Sequence, residues 1–95
     1  MTTPEGKLKG TCRRWMTDNR ILFYPVIVTS KGGCMDDILC VEGLFVGVEY
    51  KDIGKHRTPR QVARAEEVEA NGGKTEVIRS LSELKELIGR VECTH

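Results

Sequence analysis

The sequence predicts an α/β fold, a mixed sheet flanked by helices with its elements in the order αβββαβα. Two predicted helix starts pair a capping threonine with proline, at Thr3-Pro4 and at Thr58-Pro59. Between them lie three runs rich in the β-branched and aromatic residues that favour strands. Glu42-Gly43 separates the last two runs and predicts a tight hairpin turn.

The first helix is predicted from about Pro4 to Asp18, because apolar side chains recur there at helical spacing. Pro25 removes one ladder donor from the following run and indicates an edge strand or a bulge. The predicted strands are Arg20–Thr29, Met35–Val41, Leu44–Lys51 and Lys74–Arg79.

The second half of the chain predicts two more helices, each opened by a capping box. Thr58-Pro59-Arg60-Gln61 opens a helix that should end at Gly72-Gly73, and Ser80-Leu81-Ser82-Glu83 opens the last one. The helix from Pro59 is long enough to be a crossover that lays the last strand parallel to a neighbour. The three earlier strands then form an antiparallel meander.

Composition gives the broad class of the protein. The 95 residues suit one domain over 1–95, with 39% hydrophobic and 31% charged residues. No apolar run approaches the length of a bilayer span and no signal-like segment opens the chain, so we expect an intracellular protein without a membrane partner. The four cysteines are scattered singly and are expected to be reduced or buried thiols rather than zinc ligands.

Two carboxylates are predicted to meet across the hairpin. If Glu42 and Gly43 are its two loop residues, Asp36 lies opposite Glu49 on the same sheet face. Acids paired in this way repel each other, and a hard divalent ion such as Mg²⁺ would compensate. A three-residue turn would place Asp37 there instead.

Lys51 adds a cation to this pair, because period-two alternation puts it on the face of Glu49. Two acids, a lysine and a divalent ion suit phosphodiester hydrolysis, in which the ion activates water and the ammonium orients it or offsets developing charge. In the alternative interpretation, Asp36 and Asp37 terminate a loop, and Glu49 and Lys51 form a solvated strand end.

The chain resembles the virus-type replication-repair nucleases (VRR-NUC domains) of the PD-(D/E)XK superfamily. The family's Gly-x-Pro-Asp signature falls on Gly33 to Asp36 and is followed by Glu49-Tyr50-Lys51, with Met35 where the family has proline. The resemblance covers nearly the whole chain. Its segments are Thr3-Pro4-Glu5-Gly6-Lys7, Gly33 to Asp36, Val46 to Lys51, Thr58 to Gln61, Gly72-Gly73 and Arg79-Ser80-Leu81.

This resemblance implies a restriction-endonuclease-like fold and a Mg²⁺- or Mn²⁺-dependent DNA endonuclease. It implies that Asp36, Glu49 and Lys51 form the catalytic set, that Glu5 approaches the metal ion, and that Gln61 lies beside the active site. Small stand-alone members resemble phage-encoded homodimers that act on branched DNA such as four-way junctions. A DNA-binding or assembly module without cleavage, and an RNA-processing enzyme, are the alternative functions.

Contact with DNA must rest on local basic clusters, because the net charge of +1 gives no general attraction to nucleic acid. The loop after Lys51 is such a cluster, and a solvated surface is its alternative interpretation. Tyr50 lies between two predicted site residues and should point to the opposite, buried face. The predicted DNA-binding residues are Lys55, His56, Arg57 and Arg60.

Overall fold

A computed structural model describes residues 3–27 and 35–93 of the chain. The element order over these residues is the predicted αβββαβα. The helices are α1 (Pro4–Asp18), α2 (Pro59–Ala70) and α3 (Leu81–Cys93), and the strands are β1 (Leu22–Pro25), β2 (Asp37–Val41), β3 (Leu44–Tyr50) and β4 (Lys74–Ile78).

The strands form one mixed sheet in the order β1-β2-β3-β4. The pairs β1–β2 and β2–β3 are antiparallel, and β3–β4 is parallel. The predicted meander and the crossover through α2 are therefore confirmed. The edge position of β1 also agrees with the prediction from Pro25.

The first two strands are shorter than predicted. Arg20 has a φ of 58°, and this left-handed conformation keeps it out of the extended strand, which begins at Leu22. β1 ends at Pro25, and residues 28 and 29 of the predicted strand lie outside the described part. The backbone N–H of Asp36 donates to the Val48 carbonyl at 2.9 Å, so Asp36 contacts β3 although it lies one residue before β2.

Helices α1 and α3 supply much of the core on one face of the sheet. α1 contributes Cys12 and Met16, and α3 contributes residues that include Leu84 and Leu87. These side chains pack with alternate residues of the central strands, among them Leu39. Glu49 belongs to the opposite face. No helix in the described ranges is long and apolar enough to cross a membrane.

The predicted capping contacts are found at two of three helix starts. Thr3 caps α1 by accepting the N–H of Gly6, and the complete capping box of Thr58 and Gln61 opens α2. The predicted second box is half formed. Ser80 accepts the N–H of Glu83, but the Glu83 carboxylate accepts the backbone N–H of Arg79, one residue before the expected donor.

The described cysteines are all free thiols, as expected, but they differ in exposure. Cys12 is buried in the core, where loss of solvation and the nearby Asp37 charge raise its thiol pKa to about 11. Cys40 and Cys93 are exposed. Cys34 lies outside the described residues.

Candidate active site

The hairpin has the predicted register. Val41 pairs with Leu44 across the two-residue turn, and both turn residues have positive φ, 52° at Glu42 and 79° at Gly43. The last pair assigned to the ladder is Asp37 with Val48, and the N–H of Asp36 also donates to the Val48 carbonyl, so Asp36 and Glu49 are the residues next to this last pair on their two strands. Tyr50 agrees with this placement, since its backbone N–H donates to Oδ2 of Asp36 at 2.9 Å.

Asp37 faces the core rather than the site. Its carboxylate is fully buried and accepts a forked contact from Arg13, with Nη2 to Oδ1 at 2.7 Å and Nε to both oxygens at 3.1 Å. The hydroxyl of Tyr50 donates to Oδ2 at 2.7 Å. Burial and this contact with the negative Asp37 raise the pKa of Tyr50 strongly. The predicted core position of Tyr50 is therefore confirmed, and α1 is tied to the sheet at this point.

Glu49 is a buried acid, so the interpretation of a solvated strand end is wrong for it. The residue is 1% exposed. Its Oε2 accepts from Nε of Arg57 at 3.0 Å, whereas Oε1 is buried without a hydrogen-bond partner in the described part of the chain. Burial raises the pKa of Glu49 because it outweighs the lowering effects of Arg57 and Lys51.

The same balance of charges shows which side chains surround Glu49. The Asp36 charge raises its pKa and the Lys51 charge lowers it, so both lie close enough to act on the carboxylate. Lys51 follows β3 directly, and its backbone N–H donates to the Ile78 carbonyl of β4 at 3.1 Å. The structure thus brings Asp36, Glu49 and Lys51 together at the end of the two central strands.

The start of α1 adds two side chains to this end of the sheet. Nζ of Lys9 lies 3.6 Å from Oδ1 of Asp36. Oε2 of Glu5 accepts the backbone N–H of Asp52 at 3.4 Å and lies 3.9 Å from Nζ of Lys55. Lys9 is a neighbour that sequence analysis missed, although it follows Glu5 by four residues and so shares its helix face.

Two of the predicted site residues, Gln61 and Arg57, make side-chain hydrogen bonds within the protein. Gln61 uses its Oε1 to accept the N–H of Thr58 at 2.9 Å, as the capping box requires. Arg57 turns toward Glu49, and its side chain is 23% exposed. Lys55, His56 and Arg60 are exposed, as contact with a phosphate backbone requires.

The acids at this end of the sheet suit a hard divalent ion. Oε1 of Glu49 has no donor in the described residues, and Oδ1 of Asp36 faces the Lys9 ammonium only at 3.6 Å. Carboxylate oxygens are the ligands that Mg²⁺ and Mn²⁺ prefer. Across residues 3–27 and 35–93, no three His, Cys, Asp or Glu side chains are grouped closely enough to hold an ion together. Glu5 as a third ligand therefore stays a prediction.

Glu49→Gln is expected to stabilise the protein at neutral pH. A carboxyl group whose pKa is raised on folding favours the folded state at low pH, and this contribution is lost as the pH rises through the raised value. Urea unfolding of wild type and variant should therefore diverge between pH ~4 and pH ~8, with the variant the more stable at the upper end. Exposed Glu66→Gln is the control for loss of an acidic charge. A variant less stable than wild type at pH ~8 would contradict the balance derived for Glu49.

Comparisons with known proteins place this geometry in a known fold. No protein-family model and no curated protein matches the chain. A solved structure titled "VRR_NUC domain" superposes with a TM-score of 0.79 at 21% sequence identity, covering 93% of this chain and 97% of its own. A second, titled "VRR_NUC domain protein", gives 0.78 at 15% identity and covers 95% and 88%.

The chain is therefore a small α/β protein whose mixed four-stranded sheet is flanked by helices. Within that class it has the fold of VRR_NUC domains, as the resemblance in its sequence predicted.

Proposed function

We propose that this protein is a metal-dependent endonuclease that hydrolyses phosphodiester bonds in branched DNA such as four-way junctions. One observation carries the proposal. Asp36 and Glu49 follow the last pair of the β2–β3 ladder on their two strands, and the charges of Asp36 and Lys51 both act on the buried carboxylate of Glu49. The shared fold supports it, because both solved neighbours are titled as VRR_NUC domain proteins.

Each member of the set has a distinct task in this proposal. Asp36 and Glu49 would hold a Mg²⁺ or Mn²⁺ ion, with Glu5 approaching from the start of α1. When bound, such an ion polarises the scissile phosphate and lowers the pKa of a water. Lys51 orients the attacking water or stabilises negative charge that develops on the phosphate. Gln61, whose side-chain oxygen fixes the start of α2, borders the site from that helix.

The substrate class rests on charge and on resemblance. Exposed Lys55, His56 and Arg60 lie on one loop and the helix start that follows it, and they would contact phosphates. The surface that these residues offer to DNA is small and suits a homodimer, in which the second active site reaches the other DNA strand. The resemblance to small stand-alone VRR-NUC proteins also favours a homodimer that acts inside a phage-infected bacterial cell.

The proposed activity is tested by incubating the purified chain with supercoiled, linear, flap and four-way-junction DNA, with and without Mg²⁺ or Mn²⁺. We expect cleavage that is strongest on the branched substrates and lost in excess EDTA, because the proposed ligands are hard oxygens. Full activity in EDTA would contradict metal dependence. Tight DNA binding without cleavage would favour the assembly module, and cleavage of RNA alone would favour the RNA-processing alternative.

Removing the exposed cations Lys55, in the loop, and Arg60, at the start of α2, is expected to weaken binding to DNA of every sequence. Each phosphate contact that Lys55→Ala and Arg60→Ala delete should reduce the slope of log affinity against log salt by roughly 0.9. Fluorescence anisotropy at several salt concentrations measures this slope. The matched control changes two exposed basic residues of α3, Lys85→Ala with Arg90→Ala, since α3 packs on the face away from Glu49. Equal slopes in the two double variants would remove the loop from the interface.

A further inference from the structure

The carboxylate of Glu49 is covered from its solvent side by Arg57. Nε of Arg57 donates to Oε2 at 3.0 Å, and the arginine side chain is 23% exposed while that of Glu49 is 1% exposed. The second oxygen, Oε1, is buried and has no hydrogen-bond partner within the described residues. Arg57 is therefore the direct cationic partner of this buried acid.

The position of Arg57 is set by backbone contacts that do not involve its own side chain. In the loop that carries it, the N–H of Lys55 donates to the Asp52 carbonyl at 3.1 Å. Nη2 of Arg79, after β4, donates to the Lys55 carbonyl at 2.6 Å. On the other side of Arg57, Thr58 is fixed as the cap of α2. The loop should therefore keep its path when the guanidinium is removed.

A divalent ion and this guanidinium compete for the same oxygen atoms. Mg²⁺ binds carboxylate oxygens at about 2.0 to 2.1 Å, well inside the 3.0 Å that separates Arg57 from Oε2. An ion at Glu49 would therefore place two like charges side by side. The charge of Lys51 also acts on Glu49, so an ion there would add a third positive charge to those of Lys51 and Arg57.

We propose that Arg57 competes with the divalent ion for Glu49, so that its guanidinium sets the metal affinity of the site and leaves the carboxylate when the ion binds. The inference rests on the proposed function, because it takes Glu49 as a metal ligand. Once released, Arg57 can donate to a phosphate oxygen, the role that the sequence predicts for it.

The first test measures Mn²⁺ binding by the whole chain at pH 8, from the electron paramagnetic resonance signal of the free ion. Arg57→Gln is expected to bind Mn²⁺ about tenfold more tightly than wild type, since one neighbouring charge shifts a carboxylate equilibrium by roughly one unit or more. Arg60→Gln removes the same charge from an exposed position three residues later and should change the affinity by less than about twofold. Circular dichroism confirms that each variant is folded.

The second test observes Arg57 directly in the wild-type protein. The Arg57 Nε–H signal is followed by nuclear magnetic resonance while wild-type protein is titrated with Mg²⁺. We expect this signal to move to the position of an exposed arginine and to exchange faster with water as the ion saturates the site. An unmoved signal at saturation would overturn the inference.

The outcomes separate this inference from the function on which it rests. If Arg57→Gln binds Mn²⁺ no more tightly than wild type while wild type cuts DNA, Arg57 does not compete and the nuclease proposal stands. Weaker binding by the variant would make Arg57 a support for the ligand, which also overturns the inference. If wild type and both variants bind no Mn²⁺ and cut no DNA, the inference and the proposed function fail together.

Discussion

Asp36→Asn is expected to abolish DNA cleavage, whereas Asp37→Asn should leave most of it. Asp36 and Glu49 are the residues next to the last pair of the hairpin ladder, so the loss of Asp36 removes a proposed metal ligand. Loss of a residue that only supports a metal ligand typically costs about 10- to 100-fold in activity. Because Asp36 is itself a proposed ligand, we expect its loss to lower the rate by more than about 100-fold. Asp37 faces the core and touches Arg13 and Tyr50 instead. Cleavage of four-way-junction DNA under single-turnover conditions measures both variants.

The cost of Asp37→Asn should appear in stability. Its carboxylate is fully buried and bound to Arg13, so the change weakens a buried ion pair, at a cost of about 2 to 4 kcal/mol in the free energy of unfolding. Urea unfolding measures this loss, and Asp36→Asn is the control with the same chemical change. An inactive, stable Asp37→Asn beside an active Asp36→Asn would show that the two aspartates have been assigned to the wrong faces.

Glu49→Gln and Lys51→Ala should both abolish cleavage, but for different reasons. Glu49 is 1% exposed, so glutamine, which keeps its shape, is a better replacement than alanine. The Glu49 variant should lose Mn²⁺ binding together with activity. Lys51→Ala should still bind Mn²⁺, because it removes a cation and no oxygen ligand, and should lose cleavage by about 100-fold or more.

The cleavage rate and the Mn²⁺ affinity of both variants are measured on the same samples. Exposed Lys85→Ala, on the far face of the sheet, is the control for loss of a lysine. Near wild-type cleavage by either site variant, with comparable DNA affinity, would contradict the assigned roles. A Glu49→Gln variant that is more stable but inactive would also show that this buried acid is kept for function at a cost in stability.

The sequence predicts those parts of the site that depend on strand alternation and on short turn and capping motifs. Alternation along two strands and the two-residue turn at Glu42-Gly43 are enough to predict the ladder as far as the pair of Asp37 with Val48, with Asp36 and Glu49 as the next residues on the two strands. The threonine before each of the first two helices and the proline at its first position predict where these helices begin. Such signals act within a few residues, so a single sequence carries them fully.

Contacts between distant segments could not be predicted in this way. Arg13 meets Asp37 across 24 positions of the chain, and no spacing rule links a helix residue to a particular strand residue. Arg57 reaches Glu49 across an irregular loop of no fixed period. The burial of Glu49 follows from these packing contacts, and a charged residue near a strand end gives no sign of it.

Iron-mediated cleavage of the protein's own backbone tests the proposed metal site at Asp36 and Glu49, because it reports where the metal ion binds. Fe²⁺ substituted for Mg²⁺ reduces added hydrogen peroxide to hydroxide and hydroxyl radicals, and ascorbate returns the iron to Fe²⁺. The radicals cut the chain close to the ion, and the fragments are identified by mass spectrometry. We expect cuts near Asp36 and between Glu49 and Lys51, suppressed by excess Mg²⁺ and absent in Glu49→Gln. Cuts confined to other segments, or cuts that Mg²⁺ does not suppress, would contradict a metal site on this hairpin.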